Sequence, residues 1–321
     1  MTKGMMPAAF ALAQLGRASP PRATISITKS EETLMSKLSR RAFVKSAATT
    51  AAATTVLSVA AFELDANPLG LPIGCQTWPV RDGIAKDFPG TIKQLAAAGF
   101  QNIELCSPVG YDDSGFGGLA KYKGSELRKM LNDWGVSCIS SHFGIDELRK
   151  DQAGRIAWAQ DLGLKQMIVP SLGGPKNPTL DEVKRAADEY NKMGENAGKA
   201  GIQQGLHNEG FELSKVNGKR TYDILLELLD PKLVKFQFQI STISEGYDAT
   251  EYFMKYPGRF FSMHVQGWSA ATKKIVAVGQ DTLDWKKIFT AAKTGGVQNY
   301  FVEMNLDLMK DSVPYLRNLQ V

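Results

Sequence analysis

Histidine and cysteine are both scarce in this 321-residue chain, with three of each. Three cysteines are too few, and of the wrong parity, for a disulfide scaffold. Cys75, Cys106 and Cys138 each fall inside an apolar run that reads as a strand, so buried free thiols are expected. Charge of one sign is lacking as well: 38 Lys and Arg stand against 33 Asp and Glu, a formal charge of +5. With 22% charged and 43% hydrophobic residues, the chain is neither a mostly disordered polypeptide nor a polytopic membrane protein. Its length allows one large domain with a substantial core.

The small positive excess is unevenly spread. Residues 1–66 carry eight basic and four acidic residues, while 67–321 holds 30 basic against 29 acidic. The sequence pI of about 8.9 therefore reports the leader and does not indicate a nucleic-acid surface. Inside that leader, Ser39-Arg40-Arg41-Ala42-Phe43-Val44-Lys45 precedes an uncharged, Ala/Thr-rich run from Ser46 to Phe62. The arrangement resembles a twin-arginine export signal, with Ser58-Val59-Ala60 or Leu64-Asp65-Ala66 as its end. The run is too short and too rich in Ala and Thr to hold a bilayer, so no stable membrane insertion is expected after cleavage. No cysteine lies just after it to carry a lipid anchor. Met35 is a natural start for such a signal. The expected organisation is then 1–34 disordered or an over-extended start, 35–66 a signal peptide, and 67–321 one domain exported to the periplasm or beyond. Twin-arginine export, by resemblance, carries proteins already folded.

From Leu69 onward one unit recurs, a helix-like segment ending in Gly and running into an apolar strand. The junctions are Ala98-Gly99-Phe100, Trp134-Gly135-Val136, Leu162-Gly163-Leu164, Ala200-Gly201-Ile202 and Gly295-Gly296-Val297. A glycine just past a helix supplies the left-handed cap, and the apolar residue after it packs back before the strand begins. Val234–Ile240 and Phe260–Val265 are strand runs without that junction, and Ile73–Trp78 at the front completes eight. Leu180–Ala200, Asp146–Leu162 and Trp285–Lys293 read as helices. Eight β-then-α units over about 255 residues predict an α/β fold, a (β/α)8 TIM barrel. A doubly wound open sheet competes less well, because Gln76-Thr77-Trp78-Pro79-Val80-Arg81 after the first strand lacks a glycine-rich phosphate turn.

In such a barrel the chemistry gathers at the carboxyl ends of the strands. All three histidines fall at expected strand ends: His142 after the third, His207 after the fifth and His264 near the end of the seventh. Glu104 closes the second strand and Glu303 the eighth. Together they predict a site able to hold a borderline or hard divalent ion such as Mn²⁺, Mg²⁺, Co²⁺ or Zn²⁺. Such an ion could grip two adjacent oxygens of a hydroxy-carbonyl substrate, while flanking glutamates move the α-proton. Trp78 and Trp268 read either as a platform for a sugar face or as core. Arg81 reads as an anion contact or a solvated loop residue, and Lys273-Lys274 needs no nucleic-acid partner.

At these residues the chain from about Leu69 to Leu319 resembles the sugar phosphate isomerase/epimerase superfamily of xylose isomerase-like TIM barrels. The motifs are His207-Asn208-Glu209-Gly210-Phe211-Glu212, Met263-His264-Val265, Gly279-Gln280-Asp281-Thr282-Leu283-Asp284-Trp285 and Phe301-Val302-Glu303-Met304-Asn305. The resemblance implies metal ligands at Glu209, Gln239, His264 and Glu303, with Glu209 and Glu303 as the proton-moving acids. It implies Glu104, His142, His207, Trp78 and Gln266 around a carbohydrate substrate, and it is compatible with a homo-oligomer. Two departures matter. Gln239 stands where the family has Asp, removing one negative charge from the ion. Gln266-Gly267 replaces a Lys-Asp pair. The expected activity is sugar or keto-sugar isomerisation or epimerisation. A lyase or hydratase on an oxidised sugar would share the enolate chemistry, and a sugar-binding barrel that has lost its metal is a further alternative. A metal-dependent nuclease would want a basic groove that a charge of +1 over 67–321 does not supply.

Overall fold

Eight short segments pair in parallel and return to the first. They are β1 (Gly74–Gln76), β2 (Asn102–Cys106), β3 (Ser137–His142), β4 (Gln166–Val169), β5 (Gln203–Leu206), β6 (Val234–Gln239), β7 (Phe260–Val265) and β8 (Asn299–Val302). Each is bonded to the next, and the ring closes where Gly74 and Cys75 of β1 pair with Phe301 and Val302 of β8. The computed structural model describes residues 68–321. The twin-arginine segment, both its candidate ends and residues 1–34 lie outside the described residues.

The helices are α1 (Arg81–Lys86), α2 (Phe88–Ala98), α3 (Gly124–Asp133), α4 (Ile145–Leu162), α5 (Leu180–Lys199), α6 (Thr221–Leu228), α7 (Ala249–Lys255), α8 (Trp285–Gly295) and α9 (Leu306–Asn318). At least one follows every strand, so the fold is the (β/α)8 barrel read from the sequence. The glycine junctions act as expected. Gly99 and Gly163 take φ of +105° and +92°, closing α2 and α4 with backbone N–H bonds back to the last turn. At the other end of α5, Thr179 and Glu182 form a reciprocal capping box. The first strand is shorter than Ile73–Trp78, because Pro79 carries no N–H for a ladder and Trp78–Val80 turns into a 3-10 helix. Among the described residues no helix is long and apolar enough to cross a membrane.

Outward-facing strand side chains pack under the helices. Phe236, Phe238 and Phe260 meet Tyr222, Tyr252 and Phe253 with ring centroids 5.3–6.5 Å apart. Cys75, Cys106 and Cys138 are buried and free, as expected. Two register shifts bear on the interior. Glu104 of β2 pairs with Ser140 although Ile103 pairs with Cys138, leaving Ile139 as an extra residue. Gln237 of β6 pairs with Ser262 although Phe236 pairs with Phe260, leaving Phe261 extra. A one-residue bulge re-aims the side chains beyond it. Here the shifts set Glu104 beside Ser140 and Gln237 beside Ser262, and these side chains meet across the barrel.

Candidate active site at the carboxyl end of the barrel

The polar centre is organised by Glu104, which is fully buried. Its Oε1 accepts from Ser140 Oγ at 2.5 Å and from Gln237 Nε2 at 2.8 Å. Its Oε2 accepts from Gln76 Nε2 at 2.8 Å and lies 2.6 Å from His264 Nε2 and 3.2 Å from His142 Nε2. Burial alone would push this carboxyl up, but the two imidazoles outweigh it and hold Glu104 well below the usual range. The carboxylate is thus spent on protein donors, where the sequence reading set it against substrate.

His264 lies between two acids, with Nε2 on Glu104 and Nδ1 3.1 Å from Glu303 Oε2. Burial lowers its pKa, yet Glu303 and Glu104 together lift it to about 10, so without a metal it is a cation. Glu303 Oε2 also accepts from Gln239 Nε2 at 2.6 Å. Burial pushes Glu303 up, but His264 reverses this and keeps it ionised. Gln239 is held by Asn208, whose Oδ1 accepts the Gln239 N–H at 2.7 Å.

His207 stands apart. It is fully buried, and neither ring nitrogen has a hydrogen-bond partner among the described residues. Its ring centroid is 4.4 Å from that of His264, and Nε2 is 3.7 Å from Glu209 Oε1. Burial first, then the neighbouring imidazoles, drive its pKa well below the ordinary value, so it is neutral. The side-chain oxygen of Gln239, Oε1, is likewise buried and without a partner among the described residues. Buried polar atoms are rarely left this way. His142, His207 and His264 bring ring nitrogens within 4.8 Å of one another.

A cavity of about 220 Å³ opens onto this cluster, lined by Trp78, Cys106, Tyr111, His142, Pro170, Glu209 and Glu303. Trp78 and Tyr111 meet edge to face at 5.8 Å, and the Arg81 guanidinium stacks on Trp78 4.5 Å from the ring centre. Glu209 is half-exposed at the rim, with 52% of its side chain accessible. Its partial burial and the charge of Glu303 raise its pKa. Glu212 is fully buried, its Oε1 accepting the Leu172 N–H at 2.8 Å and tying the loops after β4 and β5 together. Burial pushes its carboxyl up to about 8.

Most residues singled out in the sequence converge here: Glu104, His142, His207, Gln239, His264, Glu303, Glu209 and Trp78. Gln266 does not reach the cluster by its side chain, which donates to the backbone carbonyl of Glu303 at 2.9 Å. Trp268 sits on the hairpin of Gly267–Ser269 and Lys274–Val276, where its carbonyl accepts from Thr282. The motif acids Asp281 and Asp284 serve structure: Asp281 accepts from Trp285 Nε1 at 2.7 Å, and Asp284 caps α8 at Lys287 N. Sequence reasoning missed Gln76, Ser140, Gln237 and Ser262. One signal was there, since Phe236-Gln237-Phe238-Gln239 alternates apolar and amide residues in a central strand, marking a polar inner face.

No family model and no curated protein matches this sequence. Among solved structures, a sugar phosphate isomerase/epimerase from Parabacteroides distasonis ATCC 8503 is 24% identical with a TM-score of 0.66, over 76% of this chain and 93% of that one. The probable 3-DHS dehydratase AsbF involved in petrobactin synthesis, from Bacillus anthracis, is 12% identical with a TM-score of 0.62, over 77% and 99%. The IolI protein, solved with a zinc atom, is 11% identical with a TM-score of 0.55, over 77% and 96%. At such identities the likeness establishes architecture alone, and that architecture is the closed eight-stranded TIM barrel.

Proposed function

We propose that this chain is an exported sugar isomerase or epimerase that moves a proton beside the carbonyl of a sugar or keto-sugar with the help of a divalent metal. The observation that carries the reading is a set of unsatisfied buried polar atoms. Both ring nitrogens of His207 and the side-chain oxygen of Gln239 have no partner among the described residues; the His207 ring centre lies 4.4 Å from that of His264, and the Gln239 amide is bonded to Glu303, which lines the cavity. Imidazole, carboxylate and amide oxygens suit a borderline or hard divalent ion. His207, Gln239, His264 and Glu303 would hold it, with Glu209 beside them. His207 thereby takes the fifth-strand position that the resemblance gave to Glu209. Glu104 fixes the His264 proton on Nε2, which frees Nδ1 for the ion in the manner of a carboxylate–histidine–metal relay. In the metal-free protein a proton on His264 supplies positive charge between the acids.

When bound, such an ion would polarise the substrate carbonyl and steady the negative charge that develops beside it. The acids divide the remaining work because their surroundings push their pKa values apart. Glu303, ionised beside a His264 cation in the metal-free protein and beside the ion when that is bound, accepts the α-proton. Glu209, half-exposed at the rim with its pKa raised by burial and by Glu303, returns one. Trp78, Tyr111 and Pro170 offer an apolar wall to a sugar face and keep water from it. The cavity lining contains no Lys or Arg, which favours an unphosphorylated substrate. Elimination of water from an oxidised sugar would use the same residues, and the likeness to a dehydratase supports that second reading.

Metal analysis of the purified protein is the decisive experiment. Divalent metal at near-stoichiometric content is expected, with His207→Ala, His264→Ala and Glu303→Gln each abolishing metal and turnover. A folded protein that takes up no metal from excess Mn²⁺ or Zn²⁺ would sink the metalloenzyme and leave a sugar-binding barrel. Incubation with keto-sugars in D₂O should exchange the α-hydrogen; exchange with elimination would mark the lyase. The export proposal rests on Arg40-Arg41. Replacing both by Lys should strand the protein in the cytoplasm, and continued export would refute the twin-arginine route.

A further inference from the structure

We infer that Tyr111, on the loop after β2, is a substrate-binding residue whose phenol hydroxyl bonds an oxygen of the sugar in the cavity. This rests on the cavity being the substrate site, and it adds a polar contact to the wall that Trp78 and Tyr111 form there. The loop that carries Tyr111 is tied down along its length. The Ser107 N–H donates to the His142 carbonyl at 2.8 Å, and the Tyr111 N–H to the Ser107 carbonyl at 3.0 Å. Ser107 Oγ donates to Glu147 Oε2 at 2.7 Å, while Glu147 Oε1 accepts the Gly144 N–H at 2.7 Å just before α4. The Tyr111 carbonyl accepts the N–H groups of Ser114 and Phe116 at 3.1 and 3.3 Å. The ring meets Trp78 edge to face and, at 6.3 Å, the fully buried Phe116 in the same manner. The phenol is therefore held in place before any ligand arrives, which lowers the entropy lost on binding.

The hydroxyl so placed has no hydrogen-bond partner among the described residues. Unlike the unpartnered hydroxyls of Tyr222, Tyr247 and Tyr300, it is not sealed among core side chains, and its residue lines the cavity. Burial, then the neighbouring Cys106 thiol and Glu209 carboxyl, hold the phenol above its usual pKa, so it keeps its proton. A protonated phenol both donates and accepts, which matches a hydroxyl or carbonyl oxygen of a neutral sugar. An aromatic of this kind meets C–H groups with its ring and an oxygen with its tip. Such a neutral bond is made with substrate and transition state alike, so its loss appears mainly in KM.

Tyr111→Phe keeps the ring and both aromatic neighbours and removes one oxygen. With D-fructose and D-tagatose in D₂O, α-hydrogen exchange by the variant should show a KM raised about tenfold, with a smaller effect on kcat. In the full chain labelled with ¹³Cζ-tyrosine, the variant identifies the Tyr111 signal among nine. In the wild type that signal should move and saturate as ketose is added, because Cζ responds to a new hydrogen bond at its oxygen. An unchanged KM in a variant with native near-ultraviolet circular dichroism overturns the inference, as does exchange with a stationary Tyr111 signal; in both cases the exchange itself leaves the proposed activity standing. Movement of the signal without exchange supports the contact and replaces the enzyme by a sugar-binding barrel. Neither exchange nor movement with either ketose overturns both the contact and the assignment of the cavity to a sugar.

Discussion

Glu104, at the centre of the residue-scale picture, is a carboxylate whose oxygens are shared among Gln76, Ser140, His142, Gln237 and His264. Removing its charge leaves the buried His264 imidazolium with Glu303 alone as counter-charge. Glu104→Ala should cost about 3–5 kcal/mol, seen as a large fall in thermal midpoint, and Glu104→Gln, which also removes the charge, should cost nearly as much. A Gln variant close to wild-type stability would mean that charge is not what Glu104 contributes. Glu212 titrates in the opposite sense to an ordinary surface acid. Its folded pKa, about 8, exceeds the usual carboxylate value of 4.5, so between these pH values the fold keeps a proton that the unfolded chain has released. Its contribution to stability is therefore full below pH 4.5 and falls as pH rises toward 8, by up to about 1.4 kcal/mol per pH unit. Glu212→Gln should flatten the decline in thermal midpoint across that window. An unchanged slope would show that Glu212 is already ionised in the fold.

At the scale of elements, the loop between β7 and β8 shows how a motif can be legible while its role is not. Asp281 and Asp284 stand out in the sequence beside catalytic-looking neighbours, yet both bind backbone or indole N–H groups at the start of α8. Asp284→Ala removes one N-cap and should cost about 1 kcal/mol. Asp281→Ala strands Trp285 Nε1 and the N–H groups of Leu283 and Gly279, and should cost about 1–3 kcal/mol. Urea denaturation of the two variants checks the order, and a costlier Asp284→Ala would contradict this account. The helix ends were readable because a left-handed cap selects glycine locally, as at Gly99 and Gly163. The bulges at Ile139 and Phe261 were not, since a register shift depends on the partner strand. Those bulges bring Ser140 and Ser262 into the cluster. Side chains of ordinary composition entered the site by pairing geometry that no local pattern records.

Over the whole molecule, the seam between β1 and β8 turns a sheet into a barrel. A Cβ at Gly74 would sit 2.5 Å from the carbonyl oxygen of Tyr300 and 2.7 Å from the Phe301 ring, closer than real Cβ contacts. The first of these is backbone, which cannot swing away. Gly74→Ala should force the seam apart and lower stability by about 1–3 kcal/mol, as overpacking does, in a thermal melt. No change would mean that the seam tolerates the displacement.

What the sequence determined alone was periodic or local. Eight strand–helix units, the glycine caps and the strand-end placement of His142, His207, His264, Glu104 and Glu303 all follow from residue spacing and from the rule that barrel chemistry gathers at carboxyl ends. The tertiary structure decided how those residues divide their work. Closure carries Gln237 of β6 across the interior to Glu104 of β2, 133 positions away in sequence. It leaves the His207 ring and the Gln239 side-chain oxygen without partners among the described residues while saturating Glu104. Which buried polar atoms are paired, and which are left for a ligand, depends on distances between strands remote in sequence, and those distances exist only once the barrel has closed.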